Sequence, residues 1–325
     1  MSRPRERSSN INAMRRCYIE LEFISEYSRD DILRALYPYP EVRLQREHGT
    51  NHWEVNLDPE KVASNNIDTD IYTSDTLIEY WEKVISALRQ VECRESAITG
   101  YHIHVDVADL NPIQISNVYT KFYEYQYIMQ LTIPKSRWDN NVNCKPVTAN
   151  MADNMYESAL RWKQGRLSTE EFFDNVEGWK FYGISTNHIR DYRTLEFRWP
   201  SFTVDTDKLS YTLLLYRNLV DYFGNRYKGL QPVAQNPMFR LSTAEHFTDG
   251  HRTDYAKRNR HTKGPRLSKN LWHSWRQIYE YAAENLDQCR YWESRTKRLG
   301  NHGIGRGESC LINGITREIR TRYAK

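Results

Sequence analysis

An α+β fold, with one sheet face packed under helices and the other polar, is predicted by two features of the sequence. Four short segments, residues 18–24, 52–58, 101–106 and 194–199, alternate apolar with polar side chains. Stretches with helical periodicity lie between them. Successive side chains on a strand point to opposite faces. Ile19, Leu21 and Phe23 therefore oppose Glu20 and Glu22, and Trp53, Val55 and Leu57 oppose Glu54, Asn56 and Asp58. Likewise Ile103, Val105 and Val107 oppose His102, His104 and Asp106, while Leu195, Phe197 and Trp199 oppose Glu196 and Arg198.

The remaining elements follow in order. Residues 30–36 read as a short helix, stopped by the run Tyr37-Pro38-Tyr39-Pro40. The Trp53 strand comes next, then a helix over about 75–92 whose Leu77, Ile78, Trp81, Val84, Ile85, Leu88 and Val91 form one stripe. The histidine strand follows it directly. Asn111 before Pro112 marks the start of a helix reaching to about 131. Residues 134–152, rich in Asn, Asp and Pro, predict a long loop. Ser168-Thr169-Glu170-Glu171 has capping-box spacing, which makes Glu171 a helix cap rather than a catalyst. Strands at 180–185 and 193–199 flank a turn at 187–191, and a helix over about 205–222 ends near Gly224. Further on, 252–269 is a basic linker or loop and 270–285 is helical. The glycine-rich stretch 299–307 lacks the Gly-Lys-Ser/Thr ending of a phosphate-binding loop.

Composition narrows the function classes. A chain of 325 residues with 23 Tyr and 9 Trp folds into one large domain or two modest ones. No stretch approaches the roughly 20 apolar residues of a membrane span. Residues 1–14 read as a basic mobile tail without the apolar region of a secretory signal. The five cysteines are widely separated and form no Cys-x-x-Cys pair, which predicts a reducing, cytoplasmic setting and no thiol or zinc-knuckle chemistry. Residues 251–325 carry 17 Lys/Arg against 7 Asp/Glu, whereas residues 1–250 carry 29 against 35. The basic end is expected to meet something anionic: nucleotide phosphates, a nucleic acid or an acidic partner.

A solvated sheet face would give the same alternation in any one segment. Such faces mix Thr, Ser, Lys and Gln, however, whereas Glu20, Glu22, His102, His104, Glu196 and Arg198 are all ligands for divalent cations or phosphate. A metal site is the stronger expectation. A cupin-like metalloprotein also uses His-x-His, but the Glu that should follow it is missing from Val105-Asp106-Val107-Ala108-Asp109. A nucleic-acid-binding protein or metal-dependent nuclease would explain the basic end and the many tyrosines, but not the paired histidines and the Glu-x-Arg strand.

The order Glu20-x-Glu22, Gly100-x-His102-x-His104, Glu196-x-Arg198 resembles the amidoligase family of the glutamine synthetase-type carboxylate-amine ligase superfamily, over about residues 16–200. The resemblance implies a curved, mainly antiparallel sheet like that of the glutamine synthetase catalytic domain, within residues 15–250. Residues 251–325 would be a partly helical extension packed on it. It implies ATP-dependent joining of a small-molecule or peptide carboxylate to an amine. Glu20, Glu22, His102 and Glu196 would hold Mg²⁺ or Mn²⁺, with one imidazole leaning the site toward Mn²⁺. His104 would touch the transferring phosphoryl group of ATP, and Arg198 would bind two of its oxygens. Alternation sets His102 and His104 about 7 Å apart, too far to require a shared ion. The family also carries a Glu in a Glu-[Ile/Val]-x-[Ser/Thr]-Pro stretch. This chain has Asp70 there and Asp75 in place of the proline, so Asp70 reads equally well as a shorter metal ligand and as a turn residue.

Overall fold

The computed structural model describes residues 15–47, 51–57, 74–96, 98–130 and 141–234, with a few single positions such as Gly49, Ile133, Arg137, Tyr291 and Trp292. Six strands form one curved open sheet: β1 (Cys17–Ile24), β2 (Val42–Arg46), β3 (His52–Leu57), β4 (Tyr101–Asp106), β5 (Ile184–Ser185) and β6 (Thr194–Phe197). Their order is β2-β3-β1-β4-β6-β5, and each neighbouring pair is antiparallel. The expected mixed fold with an antiparallel sheet is thus present.

The described helices are α1 (Arg29–Ala35), α2 (Ser74–Arg89), α3 (Pro112–Gln130), α4 (Ala149–Lys163), α5 (Thr169–Val176) and α6 (Thr206–Arg226). Short polar side chains start several of them by accepting otherwise unpaired backbone N–H groups: Ser28 for α1, Thr148 for α4 and Asp205 for α6. Ser168 and Glu171 form the reciprocal capping box at the start of α5.

One face of the sheet is apolar, with Ile19, Leu21, Phe23, Val55, Ile103, Val105, Leu195 and Phe197 all buried. Helices α3 and α6 seal it. Phe197 lies 4.7 Å from Phe122 and 4.6 Å from Tyr216 between ring centres, and the Tyr101 hydroxyl donates to the Leu209 carbonyl at 3.1 Å. Full burial of side chains this large stabilises by about 1.5–3 kcal/mol each, so this layer fixes which strand face remains for chemistry. Tyr291 and Trp292 join the helical layer. The Tyr291 ring is 4.9 Å from Tyr211 of α6, and Trp292 is buried in the core.

Several boundaries differ from the sequence expectation, each for a local reason. Helix α2 ends at Arg89, because the chain turns there and Glu92 adopts a left-handed backbone, bringing Arg94 back to pair with Ile24. Residues 149–152 open α4 instead of closing a loop, since Thr148 caps them and Met151 and Ala152 are buried. Helix α6 runs through Gly224 to Arg226. A Cβ at Gly224 would come 3.0 Å from Leu110, so that glycine is a packing contact rather than a stop. Residues 180–181 lie in a turn, leaving only Ile184–Ser185 as strand. The edge strand β2 buries Val42 and Leu44 but is only five residues long, too short to stand out as periodic. Asp58, Asp70 and residues 138–140, 235–290 and 293–325 fall outside the described residues.

Candidate metal centre

Strand register gathers the polar residues. Glu20 on β1 stands opposite His102 on β4, and His104 stands opposite Glu196 on β6. On the other side of β1, Glu22 faces Glu54 and Glu20 faces Asn56. Three central strands therefore supply Glu20, Glu22, His102, His104 and Glu196 to one patch, and Arg198 joins it just past the end of β6. Four of them are buried, with His102 2% exposed, Glu196 1%, and His104 and Arg198 8% each, while Glu20 and Glu22 are half-buried.

The carboxylate of Glu20 lies at the centre. Its Oε2 is 3.1 Å from His102 Nδ1, and its Oε1 is 3.2 Å from His104 Nε2, a close approach without hydrogen-bond alignment. Both histidines thus meet one carboxylate, one at each oxygen. His102 Nδ1 is also 3.5 Å from Glu196 Oε1, and its Nε2 is 3.6 Å from Glu22 Oε1. Glu20, His104 and Glu196 each offer a ligand atom, and these atoms lie within 4.8 Å of one another. His104 consequently belongs to this three-residue cluster, with His102 adjoining it.

Gly100 explains its place in the histidine motif. A Cβ there would overlap the His102 ring, approaching Cδ2 at 2.9 Å, and would sit 3.0 Å from Arg137 Nη2. Its own N–H donates to Glu22 Oε2 at 2.6 Å. The absent side chain makes room for the imidazole, and the backbone amide fixes the neighbouring carboxylate.

Electrostatics follow from this crowding. Burial pushes the Glu20 carboxyl up, but His104 and His102 outweigh it and hold the group well below the usual carboxylate range. Glu196 is lowered in the same way against its burial, by His104, Arg198 and His102. Burial pulls the His104 imidazole down, yet Glu20 and Glu196 prevail and raise it. Arg198 donates through Nη1 to Glu196 and through Nε to the Asn143 carbonyl at 3.2 Å. Its Nη2 has no partner among the described residues.

A divalent cation fits this donor set. Glu196 Oε2 is buried without a hydrogen-bond partner, an arrangement costly for a carboxylate oxygen unless something positive completes it. Two carboxylates and an imidazole are suitable ligands for Mn²⁺ or Mg²⁺.

Residues that received no role from the sequence also line the site. Glu54, 6% exposed, accepts from Gln45 and, at 2.9 Å, from Asn56 Nδ2. Burial together with Glu20, Glu47 and Glu22 pushes its carboxyl up to about 8. The His188 ring sits 5.3 Å from His104 and 5.7 Å from the exposed Tyr192, an aromatic path from the cluster to the surface. Glu54 was visible as part of a polar strand face, but its partner on β1 depends on register. His188 and Arg137 lie in turns and loops, where no periodicity marks them. Asp70, the remaining ligand candidate, lies outside the described residues.

Among the described residues no helix is long and apolar enough to cross a membrane. No curated protein matches the chain. The profile of the family described as "Putative amidoligase enzyme" matches residues 13–220, a span that includes all six strands and each of Glu20, Glu22, His102, His104, Glu196 and Arg198. With nearly two thirds of its length matched in this way, the chain belongs to the amidoligase family.

Proposed function

We propose that this chain joins a carboxylate to an amine at the expense of ATP, through an acyl phosphate, with Mg²⁺ or Mn²⁺ held on the polar sheet face. Family membership supplies the ligase class. The observation that carries the finer reading is the cluster of half-buried Glu20 with buried His104 and Glu196, and Arg198 locked against it.

A carboxylate is a poor acyl donor because its leaving group would be oxide. Transfer of the γ-phosphoryl group of ATP to a carboxylate oxygen releases ADP and makes phosphate the leaving group. Attack of the amine nitrogen on the acyl carbon then expels phosphate and a proton, leaving the amide. A divalent cation held there would supply neutralisation of the phosphate charge. Glu20 and Glu196, both ionised at neutral pH, would hold it together with His104 or His102, and Glu22 stands beside them. Arg198 is fixed at Nε and Nη1, so its Nη2 is left to donate to the transferring phosphoryl group.

The same proposal takes the sheet as glutamine synthetase-like and the domain as residues 15–250. It assigns the basic residues 251–325 to capture of anionic substrates, since the family match favours a ligase over a nucleic-acid-binding protein or nuclease. The acyl substrate is a small-molecule or peptide carboxylate. The buried thiols of Cys17, Cys93 and Cys144 suit a reducing cytoplasmic setting.

Hydroxylamine traps acyl phosphates as hydroxamates, so the test incubates the protein with ATP, Mn²⁺ or Mg²⁺, hydroxylamine and a panel of carboxylates. A hydroxamate formed with one carboxylate, and lost in Glu196→Gln, is the expected result. Carboxylate-dependent phosphate release without any hydroxamate would overturn the acyl-phosphate reading.

A further inference from the structure

Arg137 is among the most completely buried side chains of the protein, at 1% exposure, and the chemistry above makes no use of it. Its guanidinium has no carboxylate partner among the described residues. It donates instead to three backbone carbonyls: Arg198 at 2.6 Å, and Trp199 and Ile98 at 3.4 Å each. An unpaired buried cation is costly, and a planar fork able to span several acceptors is the one cationic side chain that limits the cost.

The acceptors are informative. Arg198 and Trp199 lie where the chain leaves β6, and Ile98 lies two residues before Gly100, where the chain enters β4. The stretch that carries Arg137 also reaches Arg198 by a second route. Asn143 O accepts from Arg198 Nε at 3.2 Å, and the buried Cys144 thiol donates to the Arg137 carbonyl, joining the two ends of the stretch. Arg198 is consequently gripped at its backbone by Arg137, at Nε by Asn143 and at Nη1 by Glu196.

We propose that Arg137 is a positioning residue that sets the aim of the Arg198 guanidinium. It touches no reacting atom. It holds the backbone from which Arg198 projects, so that two of the three guanidinium nitrogens meet fixed acceptors and the third is left without a partner among the described residues. The purpose of that aim rests on the phosphate role proposed for Arg198, but the aim itself is measurable without nucleotide.

The experiment uses the full chain with ¹⁵N-labelled arginine. Arg198→Lys identifies the Arg198 Nε–H signal by its disappearance. In Arg137→Lys and Arg137→Gln the protein should fold and keep Mn²⁺ affinity within about twofold, while the Arg198 Nε–H signal shifts or broadens. MnATP affinity should fall about tenfold, and Arg137→Lys combined with Arg198→Lys should bind no more weakly than Arg198→Lys alone. An unmoved Arg198 signal in both variants overturns the proposal. So does failure of both to fold, which would make Arg137 a residue of the core, and so does a moved signal with MnATP affinity retained while Arg198→Lys loses it. A moved signal with MnATP affinity intact in Arg198→Lys itself upholds the aim and sinks the phosphate role.

Discussion

Replacing Gly100 by alanine asks whether the imidazole of His102 has any room to move. The new Cβ would stand 2.9 Å from His102 Cδ2, nearer still to Nε2, and 3.0 Å from Arg137 Nη2. Comfortable contacts between such atoms begin near about 3.5 Å, so the closest ring atom, Nε2, must retreat by roughly one ångström. Its surroundings oppose that. The ring is 2% exposed, with Glu20 at 3.1 Å, Glu196 at 3.5 Å and Glu22 at 3.6 Å, and Arg137 cannot yield without releasing its carbonyls. Backbone strain plays no part, because Gly100 lies outside the left-handed region. Overpacking of this kind costs about 1–3 kcal/mol, and disturbing a group that orients metal ligands costs about 10–100-fold in metal affinity. Calorimetric titration of Mn²⁺ and thermal melting should therefore show both losses. Gly229→Ala is the control, since a Cβ there meets nothing within 4 Å. If Gly100→Ala binds Mn²⁺ as the parent does and melts at the same temperature, the steric account of the motif is wrong.

Three further outcomes follow from the same geometry. Glu20 and Glu196 raise the His104 pKa against the pull of its burial, so Mn²⁺ bound through His104 as proposed would displace a proton wherever the imidazole carries one. Affinity should rise with pH by up to about tenfold per unit below the raised His104 pKa and level off above it; calorimetry at pH 6 in buffers of different ionisation enthalpy counts the proton, and none released would refute the ligand role. Glu54, pushed up to about 8, holds a proton in the folded state that the unfolded chain surrenders near pH 4.5. Its protonation favours folding fully below that lower value, and the benefit fades as pH rises to about 8. With chelator present, Glu54→Gln should raise Tm at pH 8.5 but not at pH 5, and an equal shift at both would exclude this origin. Trp292→Ala should cost about 3–5 kcal/mol of stability by emptying a core position, an effect that an unchanged melting temperature would disprove. Truncations meant to remove basic residues should accordingly retain Trp292.

The parts of the fold set by alternation were legible in the sequence. The pattern in residues 18–24, 101–106 and 194–199 assigned every one of their side chains to a face, because a strand has a fixed period and one face here must be buried. Pairing was less accessible. That Glu20 meets both histidines, and that Glu22 faces Glu54, depends on register across strands distant in sequence. The same limit explains why spacing alone separated His102 from His104, whereas one carboxylate between them brings both into contact with it. Gly224 looked like a helix stop because its role is set by Leu110, a neighbour the local sequence does not reveal. Arg137, Asn143 and His188 belong to irregular segments, where position follows from tertiary contacts rather than local preference.

The strand order also governs when the centre can exist. Glu20 waits for His102, which comes 82 positions later in the chain, and the cluster closes only when β6 arrives with Glu196. As synthesis proceeds, β1 emerges early yet has its central neighbour β4 only after α2 has been made, and β6 only after α5. Such distant pairings are slow to form, and no partial sheet offers the complete ligand set. A cation bound as proposed would therefore act as a lock on the finished sheet but not as a seed for it. In refolding experiments Mn²⁺ should slow unfolding while leaving the folding rate nearly unchanged, the behaviour expected of an interaction absent from the transition state.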